Sequence, residues 1–93
     1  MFKIPLLNRH TVVSDEGFKV TFVSRNTLKY EEGELVALLD IDGDGKRMDL
    51  LAHSIRIEST QHGQTSKDEE RHRIVRNVVR VLEWKGWSVH VIH

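Results

Sequence analysis

Apolar residues recur along this chain with two rhythms, a period of two over most of its length and a period near 3.6 toward its end. Phe18-Lys-Val-Thr-Phe-Val23 alternates, placing Phe18, Val20 and Phe22 on one face of a strand. Ahead of it, Thr11-Val-Val-Ser14 reads as a short strand closed by the turn Asp15-Glu16-Gly17. Leu28 and Tyr30 mark a brief strand between Ser24-Arg25-Asn26 and the turn Glu31-Glu32-Gly33-Glu34. Phe2, Ile4, Leu6 and Leu7 surround Pro5, which has no amide proton to give a ladder, so residues 1–10 are expected to form an edge strand or an apolar flap.

The strongest β signal is a central hairpin. Glu34 to Asp42 and Lys46 to Glu58 flank Asp42-Gly-Asp-Gly45, which holds two Asp-Gly dipeptides of the kind that turn hairpins. With a loop of two or four residues, cross-strand partners sum to an odd number. That parity groups Leu35, Ala37, Leu39 and Ile41 with Met48, Leu50 and Ala52, and puts Val36 and Leu38 on the other face with Leu51, Ile55 and Ile57. Both faces are apolar, and one helix covers only one of them. The second face is expected to be covered either by residues 1–10 or by a second chain, because an exposed apolar patch marks an interaction site. Val36, Leu38, Leu51 and Ile55 are therefore the candidate partner-binding residues.

Between Ser66 and Gly86 the rhythm changes. Ile74, Val75, Val78, Val79, Val81 and Leu82 cover roughly 160° of a helix at about 100° per residue, with Arg76, Asn77 and Arg80 between them. Five of these six are β-branched and favour strands. Alternation, however, would mix them with the arginines, whereas the helical period separates them. Ser66 and Glu69 form a capping box, Asp68, Glu69 and Glu70 place negative charge at the positive end of the dipole, and Gly86 suits the C-terminal turn. A helix over about 66–85 follows. Then Trp87-Ser-Val-His-Val-Ile92 alternates again, giving a last strand over about 88–92 with Val89 and Val91 on one face. The fold expected is a single α+β domain over 1–93, an antiparallel β-meander sheet with one long C-terminal helix packed on one face and a final strand after it.

On the polar side of the helix, Arg73, Arg76 and Arg80 lie among Glu69, Glu83 and Trp84. The spacing predicts Glu69–Arg73 and Arg80–Glu83 pairs along the helix, and Trp84 within cation–π reach of Arg80. A solvated face with local pairing is the plain expectation. A nucleic-acid surface built from Arg73, Arg76, Arg80 and Trp84, with Lys85 and Trp87 nearby, is the alternative. The 14 basic and 14 acidic side chains cancel, which argues against attraction to a polyanion. Charge is nonetheless uneven: residues 31–49 carry Glu31, Glu32, Glu34, Asp40, Asp42, Asp44 and Asp49 against Lys46 and Arg47, while residues 71–93 carry Arg71, Arg73, Arg76, Arg80 and Lys85 against Glu83 alone.

The absence of cysteine excludes disulfides, thiolate metal sites and a cysteine nucleophile. No run has the length or polarity pattern of a signal peptide or a membrane span, and a cytoplasmic protein is expected. Asp40-Ile-Asp-Gly-Asp-Gly45 begins like a calcium loop, but Leu51 stands where the bidentate glutamate belongs, so a hairpin tip is the better reading. The six histidines (His10, His53, His62, His72, His90 and His93) form no metal-binding helix motif, and His53 is expected to be a partly buried residue beside Leu51 and Ile55. No nucleophile elbow or phosphate-binding glycine loop is present, so no enzyme, metal or cofactor is expected.

The order of features carries one resemblance. A meander with Leu28-Lys-Tyr-Glu-Glu-Gly-Glu-Leu-Val36 leads to a hairpin containing Ser54-Ile55. An acidic-capped helix with Ile74, Val78 and Val81 follows, then Gly86-Trp-Ser-Val-His-Val91. Residues 18–93 in this respect resemble small immunity proteins of bacterial polymorphic toxin systems. The resemblance implies a cytosolic, non-enzymatic protein-binding module that neutralises a cognate toxin. Its expected partner is thus a protein, or a second copy in a homodimer.

Overall fold

The computed structural model describes residues 1–6, 9–59 and 67–93 and shows one helix on a seven-stranded sheet. The strands are β1 (Phe2–Lys3), β2 (Thr11–Ser14), β3 (Phe18–Ser24), β4 (Thr27–Glu32), β5 (Leu35–Asp44), β6 (Arg47–Ser59) and β7 (Ser88–Ile92), with helix α1 (Lys67–Trp84) between the last two. Sheet order follows chain order from β1 to β7. The first six strands pair antiparallel, and β7 joins β6 in parallel. The sheet is therefore larger than a simple meander and closes with a β–α–β crossover, since a parallel neighbour can be reached only by carrying the chain back across the sheet. The expected cap at Ser66 and much of the Glu58–Thr65 loop lie outside the described residues, and β6 itself runs on to Ser59.

Local chemistry sets the element ends. The β5–β6 turn is the two-residue Gly45-Lys46, between the paired Asp44 and Arg47, with Gly45 at φ 62°. Glycine first and an ordinary φ second is the type II′ arrangement, so neither Asp-Gly dipeptide forms the turn centre. At the helix end, the Gly86 amide donates to the Glu83 carbonyl at 3.0 Å and the Trp87 amide to Leu82 at 3.1 Å, with Gly86 at φ 106°. These two bonds define a Schellman cap, which turns the chain sharply into β7.

The core lies between α1 and one sheet face. Val12, Val20, Leu28, Tyr30, Ala37, Leu39 and Leu50 face Ile74, Val78, Val81 and Leu82, all essentially without solvent exposure. Burying each such helix side chain is worth about 1.5–3 kcal/mol. Its helix-propensity deficit is no more than about 0.7 kcal/mol, so packing overrides the strand preference of the valines. The buried stripe is nevertheless rotated from the expected one. Val75 and Val79 are only partly buried, whereas Asn77 and Glu70 are buried.

The largest departure from the sequence reading is in β6. From Asp44–Arg47 to Asp40–Leu51 the paired residues keep the expected odd sum, but Leu38 pairs with Arg56 and Ala37 with Ile57. Residues 52–55 form a bulge that shifts the pairing by three. A side-chain period of two then reverses faces beyond it. Ile55, expected on the second face, is 4% exposed in the core, and Ile57 packs against the core as well. His53, expected to be partly buried, is turned out to solvent. Ser54 holds the bulge: its hydroxyl accepts from the Asp40 amide at 2.7 Å and donates to the Leu51 carbonyl at 2.6 Å, replacing the ladder bonds lost there.

Candidate functional site

Among the described residues, no second layer covers the sheet face away from α1. The molecule measures 38 × 31 × 21 Å, and the shortest dimension is about that of one helix on one sheet. Strand β1 continues the sheet edge instead of folding over the open face: Phe2 packs on Phe18 and Trp84, with ring centroids 6.0 and 5.8 Å away, on the helix side. Register places Val36 beside Glu31, Leu38 between Lys29 and Arg56, and Leu51 between Asp40 and Ile92. Val36, Leu38 and Leu51 therefore share the open face as the alternation predicts, joined by Ile92 from β7, while Ile55 does not belong to it.

Four ion pairs surround this half-buried band. Lys19 and Lys29 reach Glu31 at 3.8 and 3.6 Å, Arg56 reaches Asp40 at 3.3 Å, and Arg47 reaches Asp49 at 3.4 Å. The lysines are on β3 and β4, and Asp40, Asp42 and Asp49 gather toward the hairpin tip. Each exposed pair contributes at most about 1 kcal/mol, so their main effect is to set the pattern of charge around the apolar band. The aspartates of the calcium-like segment alternate along β5, with Asp40 engaged by Arg56. Among the described residues, no group of three or more histidine or acidic side chains is placed to hold a metal ion.

The helix flank behaves differently from its sequence reading. Arg73 donates to Glu32 on β4 at 2.9 Å, and Arg80 forms a two-pronged pair with Glu16 in the β2–β3 turn. Arg80 also lies 5.4 Å from the Phe2 ring centroid, and Trp84 packs on that same ring. Arg73 and Arg80 thus reach across to the sheet instead of pairing with Glu69 and Glu83, because the sheet places carboxylates directly beside the helix. Between them, Asn77 donates to the Tyr30 hydroxyl at 2.9 Å, which in turn donates to Glu32 at 2.9 Å. Burial pushes the Tyr30 phenol up to about 12. Arg80 holds the Glu16 carboxyl below its ordinary value through the same paired hydrogen bonds. Of the expected nucleic-acid set, Arg76 alone among the arginines has no carboxylate partner among the described residues, and Trp84 is 47% exposed.

Arg76 instead borders a concavity of about 320 Å3 between the β6 bulge and the first half of α1. Ala52, Ile55 and Val75 line its apolar part, and Arg71, Arg76, His53, His72 and His93 its rim. Only the bulge brings β6 and the helix together in this way, and the sequence carries no signal for that convergence. Asp68 lies on the same border.

No described helix is long and apolar enough to cross a membrane. The chain matches no protein-family model, no curated protein and no solved structure.

Proposed function

We propose that this chain is a small non-catalytic protein-binding module whose open sheet face pairs with a second copy of itself. The observation that carries this reading is the band Val36, Leu38, Leu51 and Ile92, which crosses three strands with no layer over it among the described residues, in a molecule 21 Å thick. Apolar area of this kind gains by leaving water, at about 25 cal/mol per Å2. The 38 × 31 Å outline leaves room for the roughly 800 Å2 per partner that a stable interface needs.

The charge pattern favours a self-complementary contact. A two-fold axis near Leu38 and Leu51 sets the lysine side of one copy, Lys19 and Lys29, over the aspartate side of the other, Asp40, Asp42 and Asp49. Two-fold symmetry duplicates every such contact, which is why an evenly divided face suits a homodimer. Sedimentation equilibrium of the full chain is the test. Twice the chain mass is expected, with Leu38→Lys returning it to a monomer whose circular dichroism is unchanged. A monomer persisting to about 1 mM, where even a contact of about 4 kcal/mol would populate the dimer, refutes the proposal.

A further inference from the structure

A second surface lies at the C-terminal end of α1, on the helix side of the sheet, and stands independently of the open face. Arg9 and His10 ahead of β2, Phe22 and Val23 at the end of β3, Arg25 in the following turn, and Lys85 and Trp87 after the helix line a groove of about 450 Å3. Two backbone irregularities assemble it. The register shifts between Phe22 and Ser24, leaving Val23 bulged and 56% exposed and swinging Arg25 to the groove. The Gly86 turn brings Lys85 and Trp87 to the same side.

The groove combines cations with aromatic faces and contains no carboxylate. Arg47, Arg56, Arg73 and Arg80 each hold an acidic partner, but among the described residues Arg9, Arg25 and Lys85 have none. The Phe22 and Trp87 rings lie 5.7 Å apart, and the Lys85 ammonium sits 4.8 and 5.6 Å from their centroids. Trp87 donates its indole N–H to the Gly45 carbonyl at 3.2 Å, which fixes the ring by its edge, while the Lys85 ammonium lies over its face. Converging cations with no counter-charge fit an anion, and fixed aromatic faces fit a planar ring.

We propose that this groove binds a nucleotide, with the phosphate held by Arg9, Arg25 and Lys85 and the base stacked on the Phe22–Trp87 pair in place of the Lys85 ammonium, which turns to the phosphate. Its volume suits one nucleotide. A duplex is disfavoured, because the chain is neutral overall and its acidic hairpin lies beside the groove through the Trp87–Gly45 bond. A free mononucleotide and one residue of a single strand share this chemistry.

Amide NMR titration of the full chain distinguishes them, using AMP to about 5 mM and an oligothymidylate of about eight residues at low salt, with inorganic phosphate as the control. The expected result is movement of the Trp87 indole signal and of residues 22–25 and 85–87. Arg25→Gln, at an exposed turn position, is expected to weaken binding about fivefold to tenfold and to lower the salt dependence by about one ion. Oligonucleotide binding ten times tighter than AMP assigns the single strand, and equal binding assigns the free nucleotide. No shift with either probe, shifts as large with phosphate alone, or shifts confined to Arg76 and Trp84 overturn the proposal.

Discussion

Asn77 and Tyr30 allow the helix–sheet packing to be tested as a coupled pair. Asn77 is 5% exposed on a helix stripe otherwise made of Ile74, Val78, Val81 and Leu82, and it donates to the Tyr30 hydroxyl, which is also buried. Asn77→Ala removes that donor and leaves a small void, while Tyr30 keeps its bond to Glu32. One neutral hydrogen bond is worth about 1 kcal/mol net. The void adds a similar amount, and the better helix propensity of alanine returns roughly 0.5 kcal/mol, for a net loss of about 1.5 kcal/mol. Tyr30→Phe strands the buried Asn77 amide and takes a charge-assisted bond from Glu32, a loss of about 2 kcal/mol. The double variant makes no broken bond worse, so it is expected to lose about 2.5 kcal/mol where simple addition gives about 3.5. Urea unfolding followed by Trp84 and Trp87 fluorescence gives all four corners of the cycle. In a chain of this size Asn77→Ala alone lowers the melting temperature by about 6–12 °C. A cycle that adds within about 0.3 kcal/mol, or an Asn77→Ala protein as stable as the parent, refutes the coupling and with it the placement of Asn77 against Tyr30.

The β6 bulge makes a second prediction: Ile55→Ala is expected to cost about 2–4 kcal/mol by urea unfolding and Leu38→Ala clearly less, whereas uninterrupted alternation puts both on one face and implies similar costs. Ser54→Ala leaves the Asp40 amide without its acceptor and is expected to cost about 1–3 kcal/mol, with amide exchange accelerated first at residues 38–41 and 51–55. Two pH limits follow from the shifted groups. The Glu16 carboxyl is depressed by Arg80, so its contribution is present above the ordinary carboxylate range and lost as pH falls through the depressed value; Arg80→Ala should return the Glu16 titration, read by carboxyl NMR, toward 4.5. The Tyr30 phenol is raised by burial from 10.0 to about 12, so the folded state's preference for the protonated phenol is intact below pH 10 and lost as pH rises toward 12, an alkaline weakening that Tyr30→Phe should remove.

Much of this architecture is written in local sequence. Alternation from Phe18 to Val23 and around Asp42–Gly45, the 3.6-residue spacing from Ile74 to Leu82, and glycine at Gly45 and Gly86 each specify an element through contacts within a few residues. The same locality places Val36, Leu38 and Leu51 on one face, because β5 keeps its alternation from Val36 to Asp40 and Leu51 pairs with Asp40 ahead of the bulge. What the tertiary structure alone decided is where that period breaks and which partner each charge takes. The three-residue shift at 52–55 depends on Ser54 meeting an amide of β5, fourteen residues away, and it moves Ile55 from the open face to the core. Arg73 and Arg80 have good helical neighbours in sequence, yet they pair with Glu32 and Glu16, 41 and 64 residues distant, because packing the helix brings those carboxylates closer. The two grooves and the uncovered sheet face arise in the same way. Each is a juxtaposition of segments far apart in the chain, and a pattern that repeats every two or four residues holds no record of it.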